Sequence, residues 1–188
     1  MSDEKVVGLE TVLQQRPGWR AAGRRVVFTN GAFDLLHVGH TRYLQAARAL
    51  GDLLIVGLNS DISVRGYKGP DRPLLPAAER AELLAALACV DYVVIFDDPT
   101  ATRLVAAIAP DVYVKGGDYD DSEAGAAGKP LPEAEAARAA GGEVRIIPFV
   151  AGHSTTGLIE RIRAGARVGA PGPLPRRLRE PERGEMAD

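Results

Sequence analysis

The sequence has a single cysteine, Cys89, in 188 residues. One thiol excludes an internal disulfide and fits a reducing compartment. Cys89 lies in an apolar helical pattern and reads as a small buried side chain rather than a nucleophile. No run approaches the roughly 18 apolar residues of a transmembrane helix. The start, Met1-Ser2-Asp3-Glu4-Lys5, is not a signal peptide. Charge of one sign is also lacking: 23 Lys and Arg face 25 Asp and Glu, a formal net charge of −2. No broad basic face for nucleic acid is implied. The expectation is a soluble cytoplasmic protein, without membrane or nucleic-acid partners, built as one domain with tails. No internal repeat is apparent. Histidine is scarce as well, with three in the chain: His37, His40 and His153.

What is present is concentrated in residues 28–40, Phe-Thr-Asn-Gly-Ala-Phe-Asp-Leu-Leu-His-Val-Gly-His. This stretch follows the apolar run Arg25-Val26-Val27-Phe28, expected to be a strand. It precedes residues 41–50, expected to be a helix. In an open α/β sheet, ligands bind outside the carboxyl ends of the strands. A helix start there offers free N–H groups and a positive dipole end to an anion. His37 and His40 are three residues apart and share a face if the first helical turn includes them. Gly31 and Gly39 remove Cβ atoms where a ligand can approach the backbone. A lone histidine at a helix start is more often a cap or surface residue. Two in one turn, with two glycines and Asp34, suit a polyphosphate site.

Ahead of this stretch, Leu9, Val12 and Leu13 have helical spacing, while Gly18 and Gly23 punctuate the approach. A short helix is expected, packed on the domain or on a second subunit. Gly51 is expected to cap the helix after the signature. The apolar run 53–58 predicts a strand covered on both faces. It ends at Asn59-Ser60-Asp61, which are loop formers or ligand contacts. Residues 65–76, with Arg65, Lys68, Gly69, Arg72, Pro73 and Pro76, predict a loop. Its cations are either solvated or a mobile clamp on a polyphosphate. Residues 77–88 predict an amphipathic helix with Leu83, Leu84 and Leu87 inward. Residues 92–96 predict a buried strand, and Pro99 the first turn of a helix through about Ile108. Residues 111–114 predict a strand that delivers Lys115-Gly116-Gly117-Asp118 to the sheet edge. Residues 120–131 read as a flexible polar loop, followed by a helix from Pro132 to Gly141-Gly142 and a last strand over 144–147. Gly152-His153-Ser154-Thr155-Thr156 leads into a helix through about Arg163. Its hydroxyls suit an N-cap or a phosphate equally well. The Pro-, Gly-, Arg- and Glu-rich composition beyond Ala164 predicts a disordered tail. Alternating strands and helices predict a three-layer α/β sandwich with a parallel sheet.

The blocks in this order resemble the His-x-Gly-His nucleotidyltransferase superfamily. More closely, they resemble the D-glycero-β-D-manno-heptose 1-phosphate adenylyltransferases, separate or as the second domain of bifunctional heptose kinase/adenylyltransferases. The likeness runs from about Val26 to Ile162. It rests on residues 28–40, Gly57-Leu58-Asn59-Ser60-Asp61, Lys68-Gly69-Pro70, Arg72-Pro73, Glu79-Arg80, Val90-Asp91, residues 114–119 and Gly152-His153-Ser154-Thr155-Thr156. Ala32 stands where the family often has Cys, and residues 120–130 are longer and richer in Gly and Ala than usual.

The resemblance implies a Rossmann-like, five-stranded sheet of order 3-2-1-4-5 and a homodimer. With the helical spacing before it and the composition after it, the expected division is a helical extension over 1–24, a nucleotidyltransferase domain over 25–164 and a disordered tail over 165–188. Transfer of AMP from ATP to a sugar 1-phosphate follows from the resemblance, with release of pyrophosphate and with Mg²⁺ bound through the ATP phosphates rather than in a protein cage. A separate sugar kinase is expected upstream. His37, His40 and Lys68 are the implied catalytic residues. Thr29, Asn30, Gly31, Phe33, Asp34, Lys115, Gly116, Asp118, Ser154, Thr155 and Thr156 are implied to join the two histidines at the nucleotide. Asn59, Asp61, Arg72 and Arg80 are implied to meet the acceptor. A cytidylyltransferase acting on another phosphate is the first alternative. Those enzymes carry Arg-Thr-Glu-Gly-Ile where this chain has Phe149-Val150-Ala151-Gly152-His153. A non-catalytic nucleotide-binding module is the second alternative, and the retained cationic groups argue against it.

Overall fold

The computed structural model describes residues 3–117, 131–148 and 152–165. The chain divides into two compact units, Met1–Thr155 and Thr156–Asp188. In the first, a 3-10 turn (Asp3–Lys5) leads to α1 (Leu9–Ala21), β1 (Val26–Gly31), α2 (Val38–Arg48) and β2 (Leu53–Asn59). Then come α3 (Asp61–Lys68), α4 (Ala77–Ala85), β3 (Tyr92–Phe96), α5 (Thr102–Ile108), β4 (Val112–Gly116), α6 (Pro132–Ala139) and β5 (Glu143–Ile147). A last helix, α7 (Thr155–Arg163), occupies the boundary and the described part of the second unit. The expected tail over 165–188 lies outside the described residues from 166 onward.

The five strands form one parallel sheet in the order β3-β2-β1-β4-β5, as expected. Every residue of β2 is buried. Side chains alternate between the two faces. Val26, Phe28, Leu53, Ile55 and Tyr113 join Trp19, Leu104, Ile108 and Ala137 in one core layer. Val27, Leu54, Val56, Val112 and Val114 join Leu44, Ala47, Ala81 and Leu84 in the other. Helices α1, α5 and α6 therefore cover one face, and α2 and α4 the other. The chain reverses direction across the sheet between β1 and β4, the switch point at which such sheets bind ligands.

Several local expectations are corrected. Helix α1 runs through Pro17 and Gly18. Burial of Trp19 against Tyr92, with ring centroids 5.3 Å apart, and the Arg16–Asp111 ion pair at 3.0 Å hold this last turn on the domain. Its Leu13 stays exposed. Gly51 is not a cap, since α2 ends at Arg48 with Ala49 as its cap. A Cβ on Gly51 would lie 2.6 Å from the Arg25 carbonyl oxygen, so close backbone approach explains the glycine. Residues 61–68, in part expected as loop, are the helix α3, started by the Ser60 side chain accepting from the Ser63 amide. Leu83 points outward from α4, while Arg80, Ala81, Leu84 and Ala85 face inward. Pro99 lies before α5 rather than in its first turn.

Candidate functional site

The signature leaves β1 at Gly31 and enters α2 with His37 as its N-cap residue. Between them Phe33 adopts φ +44, a conformation uncommon for a bulky residue. Such outliers persist only where the surroundings enforce them, and they cluster at functional sites. The turn sets the buried Phe33 ring against His40, with centroids 5.4 Å apart. The His37 and His40 rings stack at 3.9 Å with an interplanar angle of 22°. Nδ1 of each is buried without a hydrogen-bond partner. Unsatisfied buried polar atoms are rare in folded proteins and call for a reason. Burial, then the nearby His37 and Lys68, pushes the His40 imidazole down to about 4. The Leu35 backbone opposes this shift, though no bond of good geometry reaches Nδ1. Burial and His153 likewise lower His37. At neutral pH, His40 therefore enters the site uncharged, and it gains a proton only if an anion compensates.

The carboxylate of Asp34 is buried behind this turn. It accepts from Arg72 Nε at 2.6 Å, from the Leu74 amide at 2.7 Å and from the Leu75 amide at 3.1 Å. One side chain thus folds the loop over residues 69–76. Nη2 of Arg72 is buried and unpartnered, so its two N–H donors remain uncommitted. Lys68 ends α3, exposed, with Nζ 5.8 Å from the Tyr67 ring centroid. Partial burial and then the Arg72 charge lower its pKa, and Asp34 raises it. Arg80 is fully buried. It donates to the carbonyls of Leu75 (2.9 Å), Ala32 (2.5 Å) and Asn59 (2.9 Å) and to Asp61 Oδ1 (2.7 Å). Arg80 and Asp61, both implied acceptor contacts, therefore tie the ends of β1 and β2 to the 69–76 loop. Asn59 is also buried and donates to Ser63 Oγ at 2.9 Å, which in turn donates to the Asp98 carbonyl.

Across the switch point, Asn30 Oδ1 accepts from Tyr113 at 2.9 Å and from Lys115 Nζ at 3.4 Å. Burial lowers the Lys115 pKa, and Glu133 raises it. Thr29, fully buried, shares a 2.6 Å hydrogen bond with the Tyr43 hydroxyl, which donates to the Val114 carbonyl at 3.1 Å. Tyr43 therefore braces β1, α2 and β4 directly behind the signature. Gly31 and Gly116 close the ends of β1 and β4. Thr155 Oγ1 reaches the Leu35 carbonyl at 3.5 Å.

The cytidylyltransferase-like family model matches residues 28–157. The chain belongs to the cytidylyltransferase-like family. It is a nucleotidyltransferase domain of Rossmann-like fold. It is 53% identical over 161 residues to the "Bifunctional protein HldE" of Trichlorobacter lovleyi, covering 86% of this chain and 31% of that protein. It is 52% identical to the protein of the same name from Geotalea uraniireducens (88% and 32%) and 56% identical to that of Syntrophotalea carbinolica (76% and 28%). The chain spans about a third of the length of these curated relatives. Among solved structures it resembles the lipopolysaccharide core biosynthesis protein of Thermoplasma volcanium, with TM-score 0.53 and 27% identity. That match covers 68% of this chain and 98% of the other.

The structure gathers Thr29, Asn30, Gly31, Phe33, Asp34, His37, His40 and Thr155 of this nucleotidyltransferase domain at the carboxyl end of β1. Lys115 and Gly116 stand beside them on β4. Lys68 joins through its charge effect on His40, and Arg72 through Asp34. Ser154 adjoins Thr155 in the same unit, and Thr156 opens the second unit. Asp118 lies outside the described residues. Tyr43 and Tyr113 were not singled out by the sequence, because a buried tyrosine looks like any other core aromatic until its hydroxyl finds a partner. His153 was noted there as part of the block Gly152-His153-Ser154-Thr155-Thr156, without a role at the site.

Proposed function

We propose that this domain transfers the adenylyl group of ATP to D-glycero-β-D-manno-heptose 1-phosphate, giving ADP-heptose and pyrophosphate. The single observation that carries the chemistry is the His37–His40 pair, stacked at 3.9 Å at the start of α2 with Lys68 close enough to depress His40. The heptose acceptor rests on the resemblance of the motif blocks and on the identity, above half, to the HldE proteins.

In this scheme an oxygen of the sugar phosphate attacks the α-phosphorus of ATP. The bond to the β-phosphate bridging oxygen breaks, and pyrophosphate leaves with that electron pair. The attacking phosphate is already an anion near pH 7, so no strong base is required. Alignment and charge stabilisation carry the rate. His37 and His40 donate to phosphate oxygens, the α2 start adds its N–H groups, and Lys68 and Arg72 approach from the segment that follows the carboxyl end of β2, at the same sheet edge. Among the described residues, no group of three or more His, Cys, Asp or Glu side chains is placed to hold a metal ion. Magnesium bound by the triphosphate itself reduces the charge of ATP. A sugar kinase acting earlier supplies the 1-phosphate, the reaction runs in the cytoplasm, and the working form is a homodimer.

A cytidylyl donor is the second reading, favoured by the description of the matching family. A matrix of ATP, CTP, GTP and UTP against sugar 1-phosphates, read by pyrophosphate release, tests both. Turnover with ATP and the heptose is expected. Turnover with CTP alone replaces the donor, and none with any pair leaves only a binding module.

A further inference from the structure

We propose that His153 is a third imidazole of the polyphosphate site, holding the pyrophosphate end of ATP beside His37. The inference rests on the nucleotidyltransferase reading and assigns a residue that this reading does not require. His153 precedes the start of α7, and two positions later Thr155 meets the Leu35 carbonyl, so residues 153–155 lie against the signature turn. The His153 ring lies 6.4 Å from that of His37 at 26°, continuing the stack that His37 makes with His40. The three rings form a row, from the partly buried His40 outward to the exposed His153.

Gly39 explains the close fit. A Cβ there would stand 2.9 Å from His37 Cε1 and Nδ1 and 3.1 Å from the His153 Cβ. Any side chain at 39 would press into both histidines, so the glycine of the signature is the floor on which both rest. His153 is close enough to His37 to help depress it, after burial. With ring centroids 6.4 Å apart, the two imidazoles are close enough to donate to different oxygens of one pyrophosphate. Among the described residues, the charges that act on the two signature imidazoles are His153 on His37, and His37 and Lys68 on His40. Pyrophosphate gains charge as the α–β bond breaks, and an exposed donor at the outer end of the row receives it on its way to solvent.

His153→Ala keeps the Cβ that packs over Gly39, and the exposed ring it removes contributes no core. The variant should melt with wild type. Calorimetric titration with inorganic pyrophosphate should show about tenfold weaker binding, the size of one hydrogen bond to a charged group. The KM for ATP should rise by a similar factor, with the KM for the sugar 1-phosphate unchanged. His153→Arg should stay within about threefold of wild type for pyrophosphate. Equal pyrophosphate binding by wild type and His153→Ala, or none by wild type, overturns the proposal. A wild type that binds pyrophosphate through His153 yet releases none from ATP and any sugar 1-phosphate overturns the transfer reading and leaves this one standing.

Discussion

The Asp34 carboxylate and the Arg72 guanidinium meet at 2.6 Å, and the same carboxylate accepts the Leu74 and Leu75 amides. A residue of the signature thus holds a loop that begins 35 positions later in the chain. Its partners are protein groups, and they shape the loop that carries Arg72.

Asp34→Ala should therefore destabilise the fold by about 3–5 kcal/mol, the usual cost of stripping one partner from a buried pair. Urea unfolding measures this. Arg72→Ala should cost less, because the two amides keep the carboxylate satisfied. A stable Asp34→Ala variant that has lost ATP affinity alone would return Asp34 to direct nucleotide contact.

Arg80→Lys should lose about 3 kcal/mol or more, since a lysine cannot replace a planar fork bonded to Leu75, Ala32, Asn59 and Asp61. At a temperature where the variant remains folded, its KM for the acceptor should be close to wild type. Undiminished stability with a large rise in that KM would make Arg80 a substrate contact instead.

His40 carries a prediction about pH. Its folded-state pKa is about 4, below the ordinary 6.5, so the unfolded chain binds more protons between those values. Stability from this source is complete above about pH 6.5 and drains as pH falls toward 4. His40→Gln should flatten that slope in urea titrations across the window. Triphosphate binding should restore the proton, because an adjacent anion favours the charged imidazole. Binding enthalpies measured at pH 6 in buffers of different ionisation heat should reveal proton uptake in wild type and less in His40→Gln. In turnover, His40→Ala should cost about 2.7–4 kcal/mol of transition-state stabilisation, seen in kcat more than in the KM for ATP.

Lys68 sits on the last residue of α3, where Gly69, at φ +92, ends the helix. Lys68→Ala should slow single-turnover transfer strongly at saturating ATP and acceptor, with circular dichroism and melting unchanged. Lys68→Arg should rescue in part only, a planar fork being a poor substitute for a compact charge. Single-turnover rates equal to wild type would mean that the ammonium never reaches the reacting phosphates.

The sequence by itself determined the parallel sheet, because strands buried on both faces leave continuous apolar runs such as residues 53–58. It also determined the place of the candidate site in the fold, between a strand and a helix, since His37, Gly39 and His40 follow a strand within a few residues. These are local patterns, and local patterns survive in one dimension. What the side chains at the site hold was settled by tertiary structure. Asp34 and Arg72 are 38 positions apart, Asn30 and Lys115 are 85 apart, and neither pairing leaves a periodic trace. Arg80 looked like a cation on an amphipathic helix, and only packing of α4 under the ends of β1 and β2 turned its donors to backbone carbonyls. The extension of α3 through Lys68 was hidden by glycine and a nearby proline run, which spoil helical propensity. There the Ser60 cap and burial of Ser63 and Val64 outweighed it. Hydrogen-bond partners far apart in sequence are chosen by which strand ends meet at the switch point, and that choice exists only once the sheet has formed.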